Sequence, residues 1–189
     1  SLLHPLCDLA GLTVVPGTLC AGLQFTHTNK PLVALHSRGV PLWQFQPTTP
    51  KRRGITITIR DSFRNAHRNS SREEWDRFAD WAANTGLVVE VIEDCEARPI
   101  PPAERLALYH CDMNLFVSNG PIVLCVYSSL PYIGFNFCKM TFDEVIDYTV
   151  HHKLELRKNF PWAMPHQRLV WEPDDFEVLV REFSRGMGG

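Results

Sequence analysis

An arginine closing the run Ile55-Thr56-Ile57-Thr58-Ile59-Arg60, and a Ser118-Asn119-Gly120-Pro121 turn directly after Met113 to Val117, are the residues whose types and spacing best suit chemistry. A guanidinium presents a planar fork of donors that matches phosphate oxygens. Gly120 lets the backbone come close to a ligand, and Pro121 opens a helix where its missing N–H costs nothing. Free N–H groups at the start of the segment from Ile122 would then face an anion. Without a ligand the same tetrapeptide is a tight strand-to-helix turn and Arg60 a solvated strand end. Their shared position after strands favours the phosphate reading.

Arg64, His67, Arg68 and Asn69 make the loop after Arg60 basic, although Asn69-Ser70 equally suits a helix cap. Asp94 and Glu172 also fall at strand ends. Asp94-Cys95-Glu96 offers two carboxylates and no supporting His, so no metal is expected there. Asp174-Asp175 is explained by the positive end of the helix it precedes. The eight His form no H-E-x-x-H, and His151-His152 suits a helix C-terminus. No G-x-S-x-G elbow, Walker loop, kinase signature or G-x-G-x-x-G is present, which weakens hydrolase, ATPase and dinucleotide-oxidoreductase readings.

The elements that must position these residues alternate in type from residue 55 onward, the pattern of a parallel sheet with crossover helices. Strands are expected at 55–60, 87–92, 113–117, 131–135 and 168–171. Ser70 and Ser71 with Glu73 and Glu74 form two overlapping capping boxes ahead of a helix carrying Trp75, Phe78, Ala79 and Ala82, which closes at Gly86. Pro101-Pro102 opens a second helix, and the apolar stretch Ile122 to Ser129 reads as a third, buried one. Thr141 with Glu144 caps another, and Pro173-Asp174-Asp175 opens the last, with Phe176, Leu179, Val180 and Phe183 on its inner stripe. A frayed tail follows from Gly186. Residues 1–50 are rich in Pro, Gly and Thr, with weak strand candidates at 12–15 and 32–35, and form a small irregular N-terminal segment ahead of an α/β domain over 51–189.

At 189 residues with 44% hydrophobic content the chain can bury a sizeable core. Its net charge of −2 supplies no global field toward nucleic acid or an anionic membrane. The six Cys form no C-x-x-C pair, and Cys125 lies inside an apolar run, which points to free thiols and a cytoplasmic setting. No apolar run reaches the roughly 18–20 residues of a transmembrane segment, and no signal peptide is visible. The chain begins Ser-Leu-Leu-His without Met, so an upstream part is expected.

Ile55 to Arg60, the Arg68-Asn69-Ser70 loop with its Trp75 helix, the Met113 to Pro121 strand-turn and Gln167-Arg168-Leu169-Val170-Trp171-Glu172 together resemble the C-terminal, nucleotide-sugar-binding domain of a bacterial GT-B glycosyltransferase. The resemblance covers roughly residues 50–185. It implies a Rossmann-like donor-binding half, with residues 1–50 as the end of an acceptor lobe or a hinge. The implied activity is metal-independent transfer of a sugar from a nucleotide-sugar donor to an unidentified glycan, lipid or protein hydroxyl. No separate cofactor is implied. Arg60, Ser118, Asn119, Gly120 and Pro121 would hold the diphosphate, and Arg68, Asn69, Asp94 and Glu172 would contact nucleoside or sugar. The general base is unassigned and in the resembled architecture comes from the other lobe. The competing reading is a non-catalytic α/β module that binds a sugar or a protein.

Overall fold

A computed structural model describes residues 46–63, 65–94, 100–141 and 155–188 of the chain. The expected strands at 12–15 and 32–35, the helix following Thr141, Arg64, Cys95, Glu96 and His151-His152 lie outside the described residues. The elements run β1 (Ile55–Arg60), a 3-10 turn (Ala66–Arg68), α1 (Arg72–Asn84), β2 (Val89–Asp94), α2 (Pro102–Tyr109), β3 (Met113–Val117), α3 (Val123–Val126), β4 (Tyr132–Phe135), a 3-10 turn (Phe137–Lys139), β5 (Gln167–Leu169) and α4 (Phe176–Met187).

The strands form one all-parallel sheet in the order β2-β1-β3-β4-β5, the open α/β arrangement that the alternating sequence pattern predicts. Parallel strands are buried on both faces, so β1, β3 and β4 show no exposed positions at all. On one face Ile55, Ile57 and Ile59 join Leu115, Val117, Ile133 and Phe135 against Trp75, Phe78 and Ala82 of α1 and Leu179 and Phe183 of α4. On the other, Phe116 and Tyr132 pack with Leu106 and Tyr109 of α2 and Leu124 and Cys125 of α3. The threonines of β1 face this second layer. The Thr56 hydroxyl donates to Asn114 Oδ1 at 2.7 Å, and Thr58 Oγ1 lies 3.1 Å from Tyr109 OH, so both side chains are buried with partners.

Several local expectations are corrected. β2 begins at Val89 rather than Leu87, because Gly86 ends α1 at φ 89° and Val88 O is engaged by Ile55 N–H at 2.8 Å. The third helix is one turn, not the whole of 122–129. Ser128 Oγ donates to Cys125 O and accepts from Leu130 N–H, and Pro131 disfavours helix at the residue before it, so the chain leaves α3 early. Neither capping box forms. Ser71 Oγ donates to Asp174 Oδ1 at 2.9 Å, and Glu74 is drawn to Phe176 N–H at 2.9 Å, so contacts between elements replace local ones. Asp174 therefore serves α1 rather than its own helix. The helix α4 continues through Gly186 to Met187, where fraying was expected, because a Cβ at Gly186 would already stand 3.0 Å from Ile133 of the core.

Candidate functional site

The sheet order fixes where a ligand crevice must lie. From β1 the chain passes outward to β2 over one face through α1, then returns through α2 on the other face to β3, on the far side of β1. Connections diverge at the carboxyl ends of β1 and β3, and open parallel sheets bind ligands at such a switch point.

Arg60 and Asp94 are register partners at the ends of β1 and β2. Thr58 pairs with Phe116 and Val117 with Phe135, so continuing these registers brings Ser118 level with Arg60 and Asn136 level with Ser118. Arg60, Ser118 and Asp94, three strand-end residues singled out from sequence, thus stand in one row on the sheet rim. Arg60 is 8% exposed, and side-chain alternation with Thr56 and Thr58 sends it toward the α2 and α3 layer. Its backbone is pinned there. Arg60 N–H donates to Ser70 Oγ at 2.9 Å, and Ser70 N–H donates to Arg60 O at 3.1 Å.

The turn after β3 differs from a cradle of free amides. Ile122 N–H donates to Asn119 Oδ1 at 3.1 Å, and the N–H groups of Val123 and Leu124 donate to Gly120 O and Pro121 O at 3.2 Å each. Those donors are spent within the turn. What the turn offers instead is the Asn119 carboxamide, 7% exposed, whose Nδ2 is buried and has no hydrogen-bond partner among the described residues. Gly120 is exposed, and a Cβ there would meet nothing within 4 Å, so the backbone at this point is open to approach.

Of the remaining expected contacts, Asn69 closes the β1–α1 loop: its Oδ1 accepts Ser62 N–H at 3.1 Å and its Nδ2 donates to Ser62 O at 3.0 Å. Neither side chain caps α1: Ser70 Oγ is taken by Arg60 N–H and the Asn69 carboxamide by Ser62, so the pair closes the loop. Arg68 stands half-buried at the end of the neighbouring 3-10 turn. Glu172 follows Val170 in alternation, toward the α4 face, and pairs with Arg181 of α4 while lining a cleft of about 470 Å³ with Arg157, Trp171 and Glu182. It is not in the row with Arg60. Among the described residues no group of three His, Cys, Asp or Glu is placed to share a metal ion, and no helix is long and apolar enough to cross a membrane.

Sequence reasoning missed Asn136. It follows β4 directly, is 2% exposed, and has φ 65°, ψ 24°. Asn populates this left-handed region far more readily than other non-glycine residues, and an Asn ending an apolar run was the available signal. Comparison of the chain with protein-family models, with curated proteins and with solved structures finds no match to any of them.

Proposed function

We propose that the protein binds a nucleotide sugar at the rim of β1 and β3 and is the donor-binding part of a glycosyltransferase. The observation that carries this reading is the single row of Asp94, Arg60 and Ser118 at the switch point, flanked by the inward-facing carboxamide of Asn119. Breaking the bond from an anomeric carbon to a nucleoside diphosphate places negative charge on the departing phosphate. A guanidinium and neutral N–H donors held in a buried rim stabilise that charge as it develops, because they need no reorganisation at the moment of reaction. Asp94, the register partner of Arg60, is the residue this reading assigns to ribose or sugar hydroxyls. The resemblance of residues 50–185 to a nucleotide-sugar-binding domain supplies the choice of diphosphate over other anions, and metal-independent transfer is part of the same reading.

Calorimetric titration of the chain with UDP, GDP, ADP and CMP, alone and with their sugars, tests this. One nucleoside diphosphate binds in the micromolar to millimolar range, and Arg60→Ala weakens it about tenfold or more, the value of a hydrogen-bonded ion contact of roughly 1.5–3 kcal/mol. Absence of binding by every nucleotide at millimolar concentration would overturn the reading and leave the alternative of a non-catalytic module.

A further inference from the structure

Resting on the reading above, we propose that Asn136 is a second ligand-binding carboxamide, and that Asn119 and Asn136 together form a two-donor subsite for the phosphoryl oxygens of the diphosphate. Both residues follow neighbouring parallel strands, β3 and β4, at the same rim of the sheet. Both are more than nine-tenths buried, and in each the side-chain Nδ2 is buried without a hydrogen-bond partner among the described residues. A buried donor left unsatisfied costs about 1–3 kcal/mol, so two of them just past the ends of neighbouring strands are an unusual expense for a fold to carry. The other carboxamide oxygens are occupied: Asn119 Oδ1 accepts Ile122 N–H, and Asn136 Oδ1 lies 3.7 Å from Cys138 Sγ as its acceptor. That leaves the N–H end of each amide as the end without a partner among the described residues. Two donors and a neighbouring arginine call for a ligand group that only accepts and carries negative charge, which is the character of phosphoryl oxygens.

The backbone at Asn136 is shaped for this. Val170 N–H donates to Gly134 O at 2.7 Å, and regular parallel pairing would return a bond from Asn136 N–H to Val170 O. Phe137 N–H makes that bond instead, at 3.3 Å, so Asn136 is an extra residue in a bulge-like kink with φ 65°. Such kinks end pairing and re-aim one side chain, and they gather beside functional sites.

The probe is inorganic pyrophosphate, titrated calorimetrically beside UDP and GDP into wild type and the variants Asn136→Gly and Asn136→Asp. Glycine keeps the left-handed backbone and deletes the amide. Aspartate keeps backbone preference and size but replaces the donor with a charged acceptor. Asn136→Gly is expected to weaken pyrophosphate about tenfold, and Asn136→Asp about a hundredfold, while the thermal midpoint of Asn136→Gly stays within a few degrees of wild type. Binding by both variants within twofold of wild type, with Arg60→Ala still defective, would overturn the role of Asn136 and leave the nucleotide-sugar reading intact. Pyrophosphate binding that depends on Asn136, with no gain in affinity from any nucleoside, keeps the two-donor anion subsite and removes the nucleotide sugar. Failure of wild type to bind pyrophosphate or any nucleotide overturns both.

Discussion

Asp174 and Glu74 each satisfy the opening of the other's helix. Ser71 N–H, at the start of α1, donates to Asp174 Oδ2 at 2.8 Å, while Phe176 N–H, the first of α4, donates to Glu74 Oε2 at 2.9 Å. Asp174 is fully buried and also accepts Trp75 Nε1–H at 2.8 Å and Lys139 Nζ at 3.4 Å. One carboxylate therefore ties α1, the turn after β4 and the approach to α4 together.

Replacing Asp174 with Ala leaves a buried indole N–H, a helix-initiating amide and a lysine without their acceptor. The expected loss is about 3–5 kcal/mol in urea-induced unfolding, the cost of breaking a buried charged network, against about 1 kcal/mol for Glu74→Ala, which removes one exchanged cap. Equal losses for the two variants would show that Asp174 is not the centre of the network.

Gly120 gives a cleaner probe of ligand approach than an arginine does. A Cβ at this position meets nothing, so Gly120→Ala should leave the thermal midpoint unchanged within about 1 °C while weakening diphosphate binding. Unchanged binding would place the ligand away from this turn.

Gly134 in β4 is the opposite case. A Cβ there would stand 2.9 Å from both the Phe116 and Phe137 rings and 3.1 Å from Leu169, all in the core. Gly134→Ala should cost about 1–3 kcal/mol by overpacking, read as a lowered denaturant midpoint.

Acid sensitivity has a named contributor in Glu182. Burial acts to raise its pKa, but a side-chain bond from Arg181 and the charges of Arg168 and Arg185 outweigh it, and the net shift is downward from the ordinary 4.5. A carboxylate with a lowered folded pKa contributes stability that is present above its unfolded value and lost as pH falls through the folded one. Stability measured from pH 6 down to pH 3 should therefore decline less steeply in Glu182→Gln than in wild type, with the difference concentrated below about pH 4.5, the ordinary glutamate range.

The described thiols should separate by access. Burial pushes all three thiols above the ordinary value, Cys125 far above, but Cys111 and Cys125 are buried whereas Cys138 is exposed. Peptide mapping after brief alkylation of native protein should find Cys138 modified before either of the other two.

The strands β1, β3 and β4 were legible because short β-branched and apolar runs bounded by Gly, Pro and charges are what a doubly covered parallel strand requires. The strand-end rule then located Arg60, Asp94 and Ser118 without side-chain geometry, since it depends only on where strands stop. What could not be read depended on partners distant in sequence. Ser71 and Glu74 spell a local cap, yet Asp174 and Phe176 outcompete it. Glu172 reads in the sequence as a strand-end carboxylate, and its pairing with Arg181 of α4 shows only in the fold. An Asn ending an apolar run marks Asn136 in the sequence, but its kink shows only in the displaced bond between Phe137 and Val170.

The reach of the Asp174 contact governs how this polypeptide can be assembled. Its carboxylate stands 103 positions downstream of the Ser71 groups it receives. During vectorial synthesis, α1 must wait for almost the whole domain to emerge from the ribosome before its opening amide is matched, so early emergence gives only a provisional helix whose final docking arrives with the last strand and α4.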